Sequence, residues 1–147
     1  MSEQDSVVPE HAPSPLADAL AQVGDRWTLL VVQALLPGPR RFNELLEEIP
    51  GIAANILSQR LKRLERDALL VSRPYTERPP RAAYELTAEG RELAGALRLL
   101  AHWGARHGLP AEAPRHSACG TPLEARWYCP TCDHLVEDEP ELEMHLL

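Results

Sequence analysis

Two groups of residues have the types and spacing to do chemistry. The first reads His116-Ser-Ala-Cys119, then nine residues, then Cys129-Pro-Thr-Cys132. Each half presents two metal-ligating side chains from a tight turn, and Gly120 and Pro130 suit such turns. Three thiolates and one imidazole complete a tetrahedron, a usual structural set for Zn2+. A lone C-x2-C is a weak signal; the facing H-x2-C strengthens it. His134 is the alternative fourth ligand. A Cys129–Cys132 redox pair is a rival, although no βαβ pattern surrounds it. A third reading is a metal- or oxidant-sensing switch. Four protein ligands would close the site, whereas a catalytic zinc keeps one position open beside a general base.

The second group lies in Gly51–Thr87. Leu57, Leu61, Leu64 and Ala68 recur at helical spacing and are expected to form a buried stripe. The opposite face carries Asn55, Gln59, Lys62 and Arg66. Amides read base edges and cations hold phosphates, so this face suits double-stranded DNA. Leu70–Tyr75 and Ala82–Leu86 then read as two short strands around Thr-Glu-Arg-Pro-Pro-Arg, whose prolines stiffen the turn. A reading helix followed by a cationic hairpin describes a winged helix-turn-helix. With the N-terminal half of the helix toward the bases, Ala54, Asn55, Ser58 and Gln59 are the candidate readers. Lys62, Arg63 and Arg66 are the candidate phosphate contacts. Arg78 is placed for a minor groove, with Arg73 and Arg81 flanking it. Taken singly, each charge reads as solvated; clustered on one face, they read as a DNA surface. Arg40 and Arg41 are weaker candidates for backbone contact.

Charge distribution supports this division. The net charge is −7, which by itself argues against a nucleic-acid partner. From Asn55 to Arg81, however, there are seven basic residues against three acidic ones, and from Leu109 to Leu147 two against eight. Over a Debye length of about 8 Å, the acidic end does not cancel a distant basic patch. No apolar run approaches the ~20 residues of a membrane span. No signal-peptide pattern opens the chain, so a cytoplasmic protein with reduced thiols is expected. No Gly-rich phosphate loop or nucleophile–base motif points to an enzyme.

The remaining elements must hold these groups in place. Ser14-Pro15 is a helix start, a serine N-cap followed by proline, and Leu16, Leu20 and Val23 form its apolar stripe up to Gly24. Asp25 caps a second helix, whose expected core face is Trp27, Leu30, Val31, Ala34 and Leu35. Phe42, Leu45, Leu46 and Ile49 mark a third, closed by Pro50-Gly51. Thr87 caps a last long helix in which Leu93, Ala96, Leu97, Leu100 and Gly104 form one stripe, while Leu99 and Trp103 begin another. A helix apolar on two faces needs a second partner, and a homodimer through the first and last helices supplies one. His102 and His107 are candidate contacts for a small-molecule effector, with a solvated or satisfied imidazole as the commoner case.

Ser14-Pro15-Leu16, Gly24-Asp25-Arg26-Trp27-Thr28-Leu29-Leu30, Gly38-Pro39-Arg40-Arg41-Phe42-Asn43-Glu44-Leu45, Leu57-Ser58-Gln59-Arg60-Leu61 and Pro79-Pro80-Arg81-Ala82-Ala83-Tyr84-Glu85-Leu86-Thr87, with Gly90, resemble the HxlR-type winged-helix regulators, relatives of the MarR type. The resemblance covers about Ser14–Gly108. It implies a cytoplasmic homodimer that binds operator DNA and regulates transcription. Many members carry cysteine where this chain has Ser14, so thiol sensing at that position is not implied here. The tail is similar to a zinc ribbon. The expected plan is a disordered arm over 1–13, a winged-helix domain over 14–108, a linker over 109–115, a zinc-ribbon-like module over 116–136 and an acidic tail over 137–147. The fold class is mainly α with a small β-hairpin wing.

Overall fold

The computed structural model describes residues 14–107 and 114–136. The expected arm and acidic tail, and most of the expected linker, lie outside these residues. Helix α1 spans Pro15–Val23, α2 Arg26–Leu35, α3 Phe42–Glu48, α4 Ala54–Arg66 and α5 Ala88–His107. Strands β1 (Arg40–Arg41), β2 (Leu70–Glu77) and β3 (Pro80–Leu86) form one antiparallel sheet in the order β1-β3-β2. A separate hairpin pairs β4 (Trp127–Cys129) with β5 (His134–Val136).

Local chemistry fixes the helix starts. Ser14 Oγ accepts from the Ala17 N–H at 3.2 Å, and Pro15 opens α1. Asp25 Oδ1 accepts from the N–H groups of Trp27 and Thr28 at the start of α2. Thr87 Oγ1 accepts from the Gly90 N–H at 3.1 Å and donates to the Ala68 carbonyl, tying the start of α5 to the end of α4. Gly90 is needed there: a Cβ would stand 2.1 Å from the Leu69 carbonyl oxygen.

The core is built from Val31, Val32 and Leu35 of α2, Leu45 of α3, Leu57, Leu61 and Leu64 of α4, and Leu70 and Leu86 of the sheet. Burying each such side chain stabilises the fold by about 1.5–3 kcal/mol. This core presses α4 against α2 and holds the hairpin at its C-terminal end.

Four expectations shift. The buried face of α2 centres on Thr28, Val31, Val32 and Leu35, while Trp27, Leu30 and Ala34 are half-buried against the edge of the core. Ala68 is exposed and leaves the helical stripe: α4 stops at Arg66, and Ala68 adopts φ +58°. The Leu69 and Ala68 N–H groups bond the Leu64 and Glu65 carbonyls, a left-handed helix stop normally occupied by glycine. The wing strands run longer than expected, leaving only Arg78 and Pro79 at the tip. Pro74 fits because β2 is an edge strand and the register shifts between Pro74 and Thr76. In α5, only Leu93 and Leu97 reach the core; the helix runs on past it, and Leu100 is 53% exposed.

Candidate nucleic-acid interface

Helix α4 is gripped along one side by Leu57, Leu61 and Leu64, so its other side is fixed outward. Ala54, Asn55, Gln59, Lys62 and Arg66 are all exposed there; Ser58 and Arg63 are half-buried. Helix α3 precedes it, joined by the short turn through Pro50-Gly51, and Gly51 takes φ +81° in that turn. The pair has the proportions of a helix-turn-helix.

Two arginines of α4 hold the helix in position. Arg60 Nε lies 2.9 Å from Asp25 Oδ1, joining α4 to the cap of α2. Asp25 also accepts the buried Thr28 hydroxyl at 2.5 Å. Partial burial raises the Asp25 pKa, but the Thr28 hydroxyl and N–H, then Arg60, outweigh it and bring it from 3.8 to about 2. Arg63 reaches across to the Ala21 carbonyl at the end of α1. Its guanidinium is therefore engaged within the fold, whereas Lys62 has no ion-pair partner among the described residues. Arg66 stands only loosely near Asp67, at 4.0 Å.

The wing extends from the same end of α4. Ser72 Oγ donates to Glu65 Oε1 at 2.8 Å, linking the base of the wing to the helix. At the tip, Thr76 Oγ1 donates to the Pro79 carbonyl, and the Arg78–Pro79 peptide is cis. Arg78 at this tip and Arg81 in the adjoining strand β3 are both exposed. Arg73 pairs with Glu85 at 3.0 Å, and Arg91 of α5 shares that carboxylate at 3.3 Å. Three of the sequence candidates thus differ in kind: Arg78 and Arg81 project, while Arg73 is partly neutralised.

Strand β1 has no periodicity from which it could be foreseen. Its two residues pair with Ala83 and Tyr84, and this edge pairing places Arg41 against the wing. The Arg41 guanidinium lies 4.5 Å from the Tyr75 ring centroid, an exposed cation–π contact. Arg40 turns the other way: its Nε is 2.9 Å from Glu48 Oε1, an ion-pair distance without hydrogen-bond alignment.

Elsewhere, His107 is satisfied. It stacks on Trp103 at 4.7 Å, and its Nδ1 is 2.9 Å from the Trp103 carbonyl. His102 lines an open cleft between α5 and the tail, together with Leu99, Arg106, Leu123, Trp127 and Leu135. In the tail, His116 Nδ1 and Cys119 Sγ are 3.2 Å apart. Hydrogen bonding with Thr121, and then with His116, lowers the Cys119 pKa, and hydrogen bonding with Cys132 lowers that of Cys129. The four candidate ligands are thus brought together as two pairs. No set of three metal-ligating groups converges among the described residues.

Known proteins share the winged-helix module. The HxlR-like helix-turn-helix family model matches residues 22–112. The HTH-type transcriptional regulator Rv3095 of Mycobacterium tuberculosis is 38% identical over 118 residues, covering 78% of this chain and 74% of that protein. The crystal structure of the HTH-type regulator YtcD superposes with a TM-score of 0.60 at 35% identity, covering 65% of this chain and 97% of that one. The redox regulator HypR in its reduced form gives a TM-score of 0.60 at 30% identity, over 64% of this chain and 93% of that one. These relatives are transcriptional regulators rather than enzymes, and no helix among the described residues is long and apolar enough to cross a membrane. With its helix pair, wing and family match in agreement, the chain belongs to the HxlR-like helix-turn-helix family of transcriptional regulators.

Proposed function

We propose that the protein is a homodimeric, sequence-specific DNA-binding regulator acting on a pseudo-palindromic operator. The observation that carries this reading is the outward face of α4, where Asn55, Gln59, Lys62 and Arg66 stand exposed, together with the exposed Arg78 and Arg81 of the wing. Helix α4 enters the major groove. Asn55 and Gln59 read adenine through paired amide hydrogen bonds, Ala54 meets a thymine methyl, and Ser58 assists from the groove wall. Lys62 and Arg66 hold phosphates, Arg63 adds a weaker contact, and Arg78 enters the adjacent minor groove with Arg73 and Arg81 beside it.

The dimer rests on exposed apolar side chains that the single chain leaves uncovered on its first and last helices. Leu16 and Leu20 of α1 are 66% and 54% exposed, and Leu100 and Trp103 of α5 are 53% and 58% exposed. A two-fold arrangement through these helices covers them and sets half-sites roughly 10 or 20 bp apart. Sedimentation of the full chain tests the dimer. Wild type is expected to sediment as two chains and Trp103→Glu as one, with operator affinity falling alongside. A monomeric wild type that binds DNA fully would contradict the reading.

A protein-docking role for the winged helix is less well supported, because the α4 face is polar and lacks the aromatic and methionine side chains that enrich such interfaces. Thiol-based redox control within the winged helix also lacks support, since the three cysteines of the chain are Cys119, Cys129 and Cys132.

A further inference from the structure

The two cysteine-bearing turns of the tail have the same backbone. In the first, the Gly120 N–H donates to the His116 carbonyl at 2.7 Å; in the second, the Asp133 N–H donates to the Cys129 carbonyl at 2.9 Å. Gly120 and Asp133, each following a cysteine, both turn left-handed, at φ +72° and +55°. His116 bonds across its turn to Thr121, as Cys129 pairs with His134. One step further out, Arg115 bridges to Pro122 and Tyr128 pairs with Leu135. Position for position, His116 corresponds to Cys129, Cys119 to Cys132, Gly120 to Asp133 and Thr121 to His134.

We infer that these are the two half-sites of a structural zinc centre, with His116, Cys119, Cys129 and Cys132 as its ligands. Two turns that repeat the same geometry, each with ligating side chains at its first and fourth positions, are the two faces of a tetrahedral site. The correspondence also decides the fourth ligand. His134 occupies the slot of Thr121, outside the ligand positions, and its Nδ1 lies 3.2 Å from the Cys132 carbonyl. His116 occupies the slot of a cysteine ligand.

A second observation points the same way. Among residues 114–136, no side chain is buried, and Trp127, Tyr128 and Leu135 are about half exposed. A two-stranded hairpin of three-residue strands without a core does not hold itself folded in water, so a metal supplies the missing cohesion. Within the first turn His116 Nδ1 lies 3.2 Å from Cys119 Sγ, and Cys119 donates to Thr121 Oγ1. Zn2+ displaces the thiol protons and converts the two pairs into one closed site. Closed by four protein ligands, it is structural rather than catalytic.

The test is metal analysis of the full chain, purified under reducing conditions, with cobalt reconstitution as a second readout. Wild type is expected to retain one zinc per chain and, with Co2+, to give the intense visible absorption of a tetrahedral thiolate-rich site. Cys119→Ser, Cys129→Ser, Cys132→Ser and His116→Ala are each expected to weaken zinc retention by more than about 100-fold. His134→Ala is expected to leave it unchanged. Wild type without stoichiometric zinc and without that cobalt spectrum would overturn the site. Loss in His134→Ala with full retention in His116→Ala would overturn the ligand assignment. DNA binding by the winged helix is measured separately, so failure of the metal site leaves the regulatory reading standing.

Discussion

Replacing Asp25 probes how α4 is held. The carboxylate caps α2 through the Trp27 and Thr28 N–H groups, accepts the Thr28 hydroxyl and pairs with Arg60 of α4. Its pKa falls from 3.8 to about 2. At about 1.36 kcal/mol per unit this sets a ceiling of roughly 2.5 kcal/mol on the charge-linked stability. The side chain is 30% exposed, so solvent screening reduces that to about 1–1.5 kcal/mol. Asp25→Ala also removes the cap, about 1 kcal/mol, and leaves the buried Thr28 hydroxyl without an acceptor, about another 1 kcal/mol. The expected loss is about 3 kcal/mol, or a Tm lower by roughly 10–20 °C for a domain of this size. Asn caps as well as Asp, so Asp25→Asn is expected to lose only about 1 kcal/mol. Because the folded-state pKa is depressed, the charge-linked part is complete above about pH 4 and is lost as pH falls toward 2, with about half gone at pH 3. Urea unfolding at fixed protein concentration measures all three proteins. A loss below about 0.5 kcal/mol for Asp25→Ala, or a gap between wild type and Asp25→Asn that stays constant from pH 7 to pH 3, would refute the reasoning.

Three further outcomes are expected. Gln59→Ala should cost about 1–3 kcal/mol of discrimination and relax choice at one base position; an equal loss on every sequence would make Gln59 a backbone contact. Arg78→Ala should weaken binding across sequences and reduce the salt slope by about 1, read from titrations at several salt concentrations. Ala68→Gly relieves a left-handed residue and should raise stability by up to about 1 kcal/mol, seen as a higher urea midpoint at an unchanged slope; a lower midpoint would mean that the Ala68 methyl makes a compensating contact.

Much of this was legible in the sequence because single residues announced their roles. Ser14-Pro15, Asp25 and Thr87 cap the helices they were expected to cap, since capping depends on a side chain and the next three peptide groups alone. The Leu57, Leu61 and Leu64 stripe identified both the core side of α4 and, by exclusion, its outward side. What escaped notice depends on partners distant in sequence. Nothing in Arg40-Arg41 forecasts a strand, because β1 exists only through its pairing with Ala83 and Tyr84. The roles of Arg60 and Arg63 were equally hidden: a cation on a helix looks the same in sequence whether it faces a phosphate or another element. Ala68 continued the helical period, and only the hydrogen bonds closing α4 remove it from the stripe. In the tail, spacing nominated candidate ligands but not the equivalence of the two turns, which lies in the left-handed residues Gly120 and Asp133.

The central claim is sequence-specific recognition by a two-fold dimer, and selection from random double-stranded DNA at physiological salt tests it most directly. A recovered pseudo-palindrome is expected, bound by two chains, with a half-site preference that loosens at one position in Gln59→Ala. Weak binding that enriches no motif and collapses as salt rises would contradict it.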